Sequence, residues 1–250
     1  MPKLAGAPPC PFMIPAMLAK ITSFLLLGIV RLLTGAQARW HGCPPKAEQR
    51  IYFANHQSHV DLILMWAALP TELRSITRPI AAKDYWANSR FKKWLTSAVF
   101  NAIYVDRKNG GQIPNSQGAN APSESPGNGQ AKLESDPHFL GVEQDPLEPL
   151  VEALQSGDSI ILFPEGTRGH APEPQPFKAG LYNLAVQFPQ VVLVPTWIHN
   201  VQRVMPKGEV IPVPVLCSVT FGTPMQVEPG EERRAFLDRA RLNVMALRDI

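Results

Sequence analysis

The sequence predicts an α/β domain: a mixed, mostly parallel sheet of about six to seven strands flanked by helices, with an N-terminal amphipathic helix that associates with membranes. Three observations carry this expectation. At 250 residues the chain is long enough to bury one large core. From Arg50 onward, short β-rich runs alternate with segments of helical period, the order expected where helices cover a parallel sheet. The N-terminal stretch before them is apolar for more than twenty positions, broken by two isolated cations.

That first stretch, "FMIPAMLAKITSFLLLGIVRLLTGAQA", carries Lys20 and Arg31 inside its apolar run. At about 100° per residue, Lys20, Ser23, Leu27, Arg31 and Thr34 share one narrow stripe and the remaining arc is almost wholly apolar. A charged residue near a bilayer centre costs about 2.5–3.5 kcal/mol, so a helix lying at the interface with its cations among the headgroups is favoured over a spanning one. A buried amphipathic helix of the fold is the alternative. A cleaved signal peptide ending at "GAQA" fits less well, because Arg31 interrupts what would be its apolar region. Residues 1–40 are accordingly assigned to a membrane-associating segment and 41–250 to the folded domain.

Within that domain the expected strands are "RIYFA", "SITRPIA", "AIYVDR", "SIILF", "VVLVPTWI" and "VLCSVTFG". Phe91, Trp94, Leu95, Ala98 and Val99 recur at helical spacing and predict one helix with a single buried face. Further helices are expected over 62–69, 147–155, 179–188 and 231–247. Residues 109–146 differ in kind. From Asn109 to Pro149 there are six glycines and six prolines, with six acidic residues against one lysine. Such a composition cannot form a core, so 109–146 reads as a disordered low-complexity insertion within one domain rather than a linker, since the strand pattern continues beyond it.

Composition narrows the partners. A net charge of +3 lacks the concentrated cationic footprint that a nucleic-acid partner requires. Cys10, Cys43 and Cys217 are an odd number without C-x-x-C spacing. They argue against a disulfide framework and a zinc site and read as packing residues. Charge is concentrated locally, however: Arg74 to Lys108 holds eight lysines and arginines against two aspartates. Anionic lipid or phosphorylated substrate would be drawn there, unless it is an ordinary solvated helix face.

Polar residues interrupt the apolar sequence most sharply in "FANHQSHVDL", Phe53 to Leu62. His56 and Asp61 are five positions apart, about 140° on a continuous helix, so they would point apart if one helix held both. Ser58, three residues before Asp61 and just ahead of "LILMWAAL", reads instead as a helix N-cap, with Asp61 in the first turn. His56 then sits in the strand-to-helix turn, within reach of Asp61. A carboxylate holding one imidazole nitrogen leaves the other free to accept a proton, the arrangement of a general base. The plainer alternative is that Asp61 only caps the helix and His56 only occupies a turn. His59, facing away from Asp61, and His170 are bystanders, and no third ligand clusters with them to hold a metal.

A second block, "SIILFPEGTRGHAPEPQPFKAG", runs from an apolar strand directly into Glu165, Gly166, Thr167 and Arg168. Loops at strand ends are where α/β sheets bind ligands, and a guanidinium matches phosphate oxygens two at a time. No G-x-S-x-G elbow is present, and no cysteine lies beside a histidine in a reactive block, so no covalent nucleophile is indicated.

Taken together, "NHQSHVD", "AIYVDR", "FPEGTR" and "LVPTWI", with "FKAG" as a supporting match, resemble the glycerolipid acyltransferases typified by the lysophosphatidate acyltransferases. The blocks stand in that family's order and span Ile51 to about Ile198. The resemblance implies acyl transfer from acyl-CoA or an acyl-acyl carrier protein, as co-substrate rather than cofactor, to a lysophospholipid acceptor at a membrane surface on the cytoplasmic face. His56 would be the base, oriented by Asp61. Glu165, Gly166, Thr167 and Arg168 would bind the acceptor phosphate, with Arg107 a further phosphate or carrier contact and Lys83 near the active site. Lysophosphatidate is the expected acceptor; glycerol-3-phosphate, another lysophospholipid or a lyso-ornithine lipid are alternatives within the class. A binding protein without turnover and a hydrolase with water as acceptor are alternatives outside it. The insertion at 109–146 and the proline-rich "RGHAPEPQPFKAG" depart from compact members of the family.

Overall fold

The computed structural model describes residues 13–58, 60–105, 147–169, 171, 173–201 and 214–250. The expectations placed on Cys10, His59, Arg107, His170 and the insertion at 109–146 therefore fall outside the described residues.

The sheet is organised around β2 (Arg50–Ala54), the strand read from "RIYFA", in which every residue is buried. A strand covered on both faces needs a continuous apolar run, and "IYF" supplies it. Successive side chains point to opposite sides: Tyr52 and Ala54 enter one core, Ile51 and Phe53 the other. The remaining strands are β1 (Gln37–Trp40), β3 (Thr77–Ala82), β4 (Ile103–Val105), β5 (Ser159–Leu162), β6 (Val192–Ile198) and β7 (Ser218–Phe221), arranged β1-β7-β6-β2-β5-β3-β4. All neighbours are parallel except β6 and β7. The sheet is therefore mixed and mostly parallel, as expected. Strand β1, from "QARW", precedes the domain boundary placed at residue 41 and pairs with β7 over Gln37 to Trp40. Its four residues alternate polar and apolar, too short a run to stand out as a strand in the sequence.

Helices cover both faces. On one side lie α1 (Met13–Thr34), α2 (Asp61–Ala68), and α5 (Arg90–Trp94) with the π-helical turn Leu95–Val99; short helices α3 (Thr71–Ser75) and α4 (Lys83–Trp86) bracket β3. On the other side lie α6 (Glu148–Gln155), α7 (Gly180–Gln187) and α8 (Arg233–Ala246), whose Phe236, Ala240 and Val244 close the second core.

Three local expectations are corrected. Ser58 is not the N-cap of α2: Val60 flanks the helix without a side-chain cap. The helix expected from Phe91 to Val99 is divided into α5 and the π turn. The widened turn carries Leu95, Thr96 and Phe100 into the core, while Phe91 is 65% exposed and Ala98 exposed. The polar stripe of α1 is divided as well. Lys20 and Arg31 are exposed, but Leu27 packs on the domain with Leu26 and Val30, and Thr34 is buried with its hydroxyl donating to the carbonyl of Val30. Cys43 and Cys217 are buried and free, matching their reading as packing residues, and Cys43 Sγ accepts a hydrogen bond from the buried Arg50.

Asn55 directly follows β2 and shows why an amide belongs in that apolar setting. It is fully buried, donates Nδ2–H to the carbonyl of Ile198 at 3.2 Å and accepts the N–H of Ile198 at 2.8 Å. The side chain thus continues the β2–β6 ladder past the last backbone pair. Asn55→Ala leaves both groups of Ile198 without that partner and should lower the unfolding free energy by about 2–4 kcal/mol, measured by urea denaturation.

Candidate active site

Strand adjacency assembles the site. β2 and β5 are parallel neighbours, so the loops leaving their carboxyl ends emerge side by side. The first carries His56 and the second Glu165 to Arg168. β3, beside β5, ends at the same edge and leads to Lys83. β4 ends at Val105, just short of the block position Arg107.

Asp61 is fully buried at the first position of α2, and its Oδ2 accepts from His56 Nδ1 at 2.8 Å, from the N–H of Gln57 at 2.6 Å and from that of Ser58 at 2.8 Å. The carboxylate thus organises the turn before the helix, the task expected of Ser58, whose hydroxyl makes only a 3.4 Å contact with the N–H of Val60. An oxygen already accepting two backbone N–H groups can only accept from the imidazole, so Nδ1 carries the proton and Nε2 is left with its lone pair.

The block after β5 holds His56 on its remaining sides. Glu165 Oε1 accepts the N–H of His56 at 2.7 Å, and the N–H of Gly169 donates to the carbonyl of His56 at 2.9 Å. The ring of Phe163 stacks on the imidazole at 4.4 Å with 19° between planes. His56 is left with 13% of its side chain exposed. Glu165 itself is 2% exposed, and its Oε2 accepts the N–H of Gln175 at 2.8 Å. Burial pushes the Glu165 carboxyl above its ordinary range, against the opposing pull of the N–H bonds from Gln175 and His56. Glu165, grouped with the phosphate contacts on resemblance, therefore lies inside the protein with both oxygens accepting backbone N–H groups, and it joins two loops.

The rest of the block faces outward. Gly166 adopts φ +71°, and a Cβ there would lie 2.7 Å from Nζ of Lys178, so the turn requires glycine and the ammonium rests against its backbone. Thr167 and Arg168 are exposed, as is Lys83 on α4. Gly166, Thr167, Arg168 and Lys178 thus form a cationic turn beside the loop of His56. Sequence reasoning left out Phe163, Gln175 and Lys178. Phe163 opens the "FPEGTR" block and Lys178 belongs to the "FKAG" match, so both had a visible signal, whereas Gln175 had none.

Comparison with known proteins identifies the family. A family model described as Acyltransferase matches residues 41–199. The chain is 29% identical over 234 residues to human 1-acyl-sn-glycerol-3-phosphate acyltransferase alpha, covering 91% of this chain and 69% of that protein. The Bos taurus protein of the same name is 29% identical, with 91% and 68% covered. The crystal structure of the 1-acyl-sn-glycerophosphate (LPA) acyltransferase PlsC from Thermotoga maritima superposes with a TM-score of 0.59 at 17% identity, over 94% of this chain and 85% of that one, which establishes the shared fold. The chain belongs to the acyltransferase family, and it is an enzyme of the O-acyltransferase class.

Proposed function

We propose that this enzyme transfers a fatty acyl group from an acyl thioester, acyl-CoA or acyl-acyl carrier protein, to the sn-2 hydroxyl of 1-acylglycerol-3-phosphate, forming phosphatidate for phospholipid synthesis. The observation that carries the reading is the imidazole of His56, fixed through Nδ1 by Asp61 at 2.8 Å with Nε2 left to take a proton. The relatives' names supply the acceptor class.

In this mechanism Nε2 removes the proton of the acceptor hydroxyl as its oxygen attacks the thioester carbonyl. The tetrahedral adduct collapses with cleavage of the C–S bond, and the proton on Nε2 passes to the departing sulfur. The acyl group moves directly between oxygen and sulfur, so the protein provides a base and a site for two substrates rather than a nucleophile. Asp61 keeps the tautomer and stabilises the transient imidazolium. The acceptor phosphate sits against the turn of Gly166 and Thr167, with Arg168 making the charged contact and Lys178 and Lys83 adding positive potential. Arg107 remains a contact suggested by its place just after β4.

The membrane supplies the acceptor, and α1 is the element suited to reach it. Met17, Leu18, Ile21, Phe24, Leu25, Ile29 and Leu32 all face outward, Phe24 with 76% and Leu32 with 84% exposure. Met17–Thr34 is long and apolar enough to cross a bilayer. Lys20 and Arg31 in its length favour a monotopic placement at the cytoplasmic face, where both acyl donors are found. α5 joins this surface. Its Trp94 packs in the core that α1 covers, and the exposed Phe91 lies 6.2 Å from that ring, between the cations Arg90, Lys92 and Lys93.

His56→Ala should lower the rate of thiol release from acyl-CoA with lysophosphatidate by about 10²–10⁴-fold without changing the thermal unfolding midpoint appreciably. A product panel identified by mass separates the readings: diacylated lipid with free thiol marks transfer, and free fatty acid alone marks hydrolysis. Arg168→Ala should raise KM for phosphorylated acceptors while leaving a phosphate-free lysolipid unaffected; equal loss with both would remove Arg168 from phosphate binding. Joint substitution Phe24→Ser with Phe91→Ser should weaken flotation with vesicles containing anionic phospholipid by at least tenfold, since each ring removed carries several carbons at about 0.8 kcal/mol per buried CH₂.

A further inference from the structure

"EPQPF", Glu173 to Phe177, is the part of the proline-rich stretch that the active-site residues described above leave without a role. Pro174 and Pro176 enclose Gln175, fixing φ on either side of it and restricting Gln175 to extended conformations. The peptide group joining Pro174 to Gln175 has two partners. Its N–H is the group that donates to Glu165 Oε2 at 2.8 Å, and its carbonyl accepts from Nε of Arg241 at 2.8 Å. Nη2 of Arg241 also reaches Glu173 Oε2 at 3.2 Å. Arg241 lies on α8, some 70 residues beyond the block after β5 and outside every motif of the sequence.

These contacts form one polarised chain. The guanidinium draws on the peptide carbonyl, which strengthens its N–H as a donor to the Glu165 carboxylate, whose other oxygen holds the N–H of His56. A buried carboxylate needs its acceptors filled to keep its place. A proline-stiffened peptide tethered from behind by a cation fills one of them with little freedom left to lose.

We infer that Arg241 is a positioning residue for the base: through the Pro174–Gln175 peptide and Glu165 it fixes the loop that presents His56 to the acceptor hydroxyl. Arg241 touches neither substrate, and its effect belongs to the chemical step. The inference rests on the acyl-transfer reading of the same site.

The test is a comparison of the full chain with Arg241→Ala, Arg241→Lys, Glu165→Gln and the Arg241→Ala/Glu165→Gln pair, using acyl-CoA and lysophosphatidate, with kcat expressed per folded molecule from circular dichroism. Arg241→Ala should lower kcat about tenfold, the scale of a small misplacement of a reacting group, and leave KM for acyl-CoA unchanged. Arg241→Lys, which keeps a cationic donor for the Pro174 carbonyl, should restore most of the loss. In the Glu165→Gln background the same Arg241→Ala change should have little further effect, since the path to His56 is already cut. Unchanged kcat in Arg241→Ala, or equal loss in both backgrounds, overturns the inference. The Ala and Lys variants decide it alone if Glu165→Gln fails to fold. Absence of transfer by the parent chain would count against the activity itself, whereas an active parent indifferent to Arg241 would count only against this role.

Discussion

A single buried oxygen organises the catalytic end of this molecule. Asp61 Oδ2 accepts from one imidazole and two backbone N–H groups, so the same atom shapes the turn and selects the tautomer of the residue in it. A carboxylate with no exposure to water is costly unless its charge is met by donors at close range. Here the donors to Oδ2 are the imidazole and the two N–H groups of the turn, and the dipole of α2 favours negative charge at its N-terminus. Folding the turn and fixing the imidazole are therefore one event. A change that disturbs Asp61 loosens both.

The second requirement is the pairing of β2 with β5. Every contact from the later block to His56 depends on these strands being parallel neighbours, since only then do their carboxyl ends deliver both loops to one place. The block contributes a ring face from Phe163, an acceptor from Glu165 and a donor from Gly169. With Asp61 they hold the backbone and one edge of His56 and leave Nε2 outward. The arrangement separates duties within six residues of chain. Glu165 and Gly169 turn inward to hold His56, and Thr167 and Arg168 turn outward to solvent, where the proposed acceptor phosphate would meet them. A mobile exposed cation can adapt to a lipid phosphate, whereas proton transfer requires a base held in a narrow geometry.

Sequence reasoning reached what local chemistry decides. The His56 and Asp61 pair was legible because five residues of turn leave few ways to place an imidazole beside a carboxylate, and the mostly parallel sheet followed from alternating β-rich and helical runs, although their order across it did not. It assigned the cap to Ser58 because residue type alone ranks serine well there, while the three donors offered to Asp61 become visible only once the turn is built. Glu165 stood among the phosphate contacts because the resemblance assigned its whole block to that role; its inward direction depends on Gln175 and on the β2–β5 pairing. Arg241 has no local signal at all, since its partners lie more than sixty residues away.

The apolar pattern failed in a more instructive way at α1 and α5. Helical periodicity records which face leaves water and not what covers it. In α1 the face against the protein is the narrower one, with Leu26, Leu27, Val30 and Thr34, and the broad apolar arc faces outward. In α5, Phe91 fits the period of a buried residue and is exposed. Both outcomes follow if the sequence was shaped by two apolar surroundings, a core and a lipid surface. One helix can then satisfy both only by presenting apolar side chains to each, with its cations at the boundary. For the proposed transfer to an acceptor held in a bilayer this is a working constraint. On the proposed reading, the face that would be an aggregation hazard in a water-soluble protein is the one that would bring His56 to its substrate, and the basic residues beside it would let the protein approach an anionic surface before any apolar contact forms.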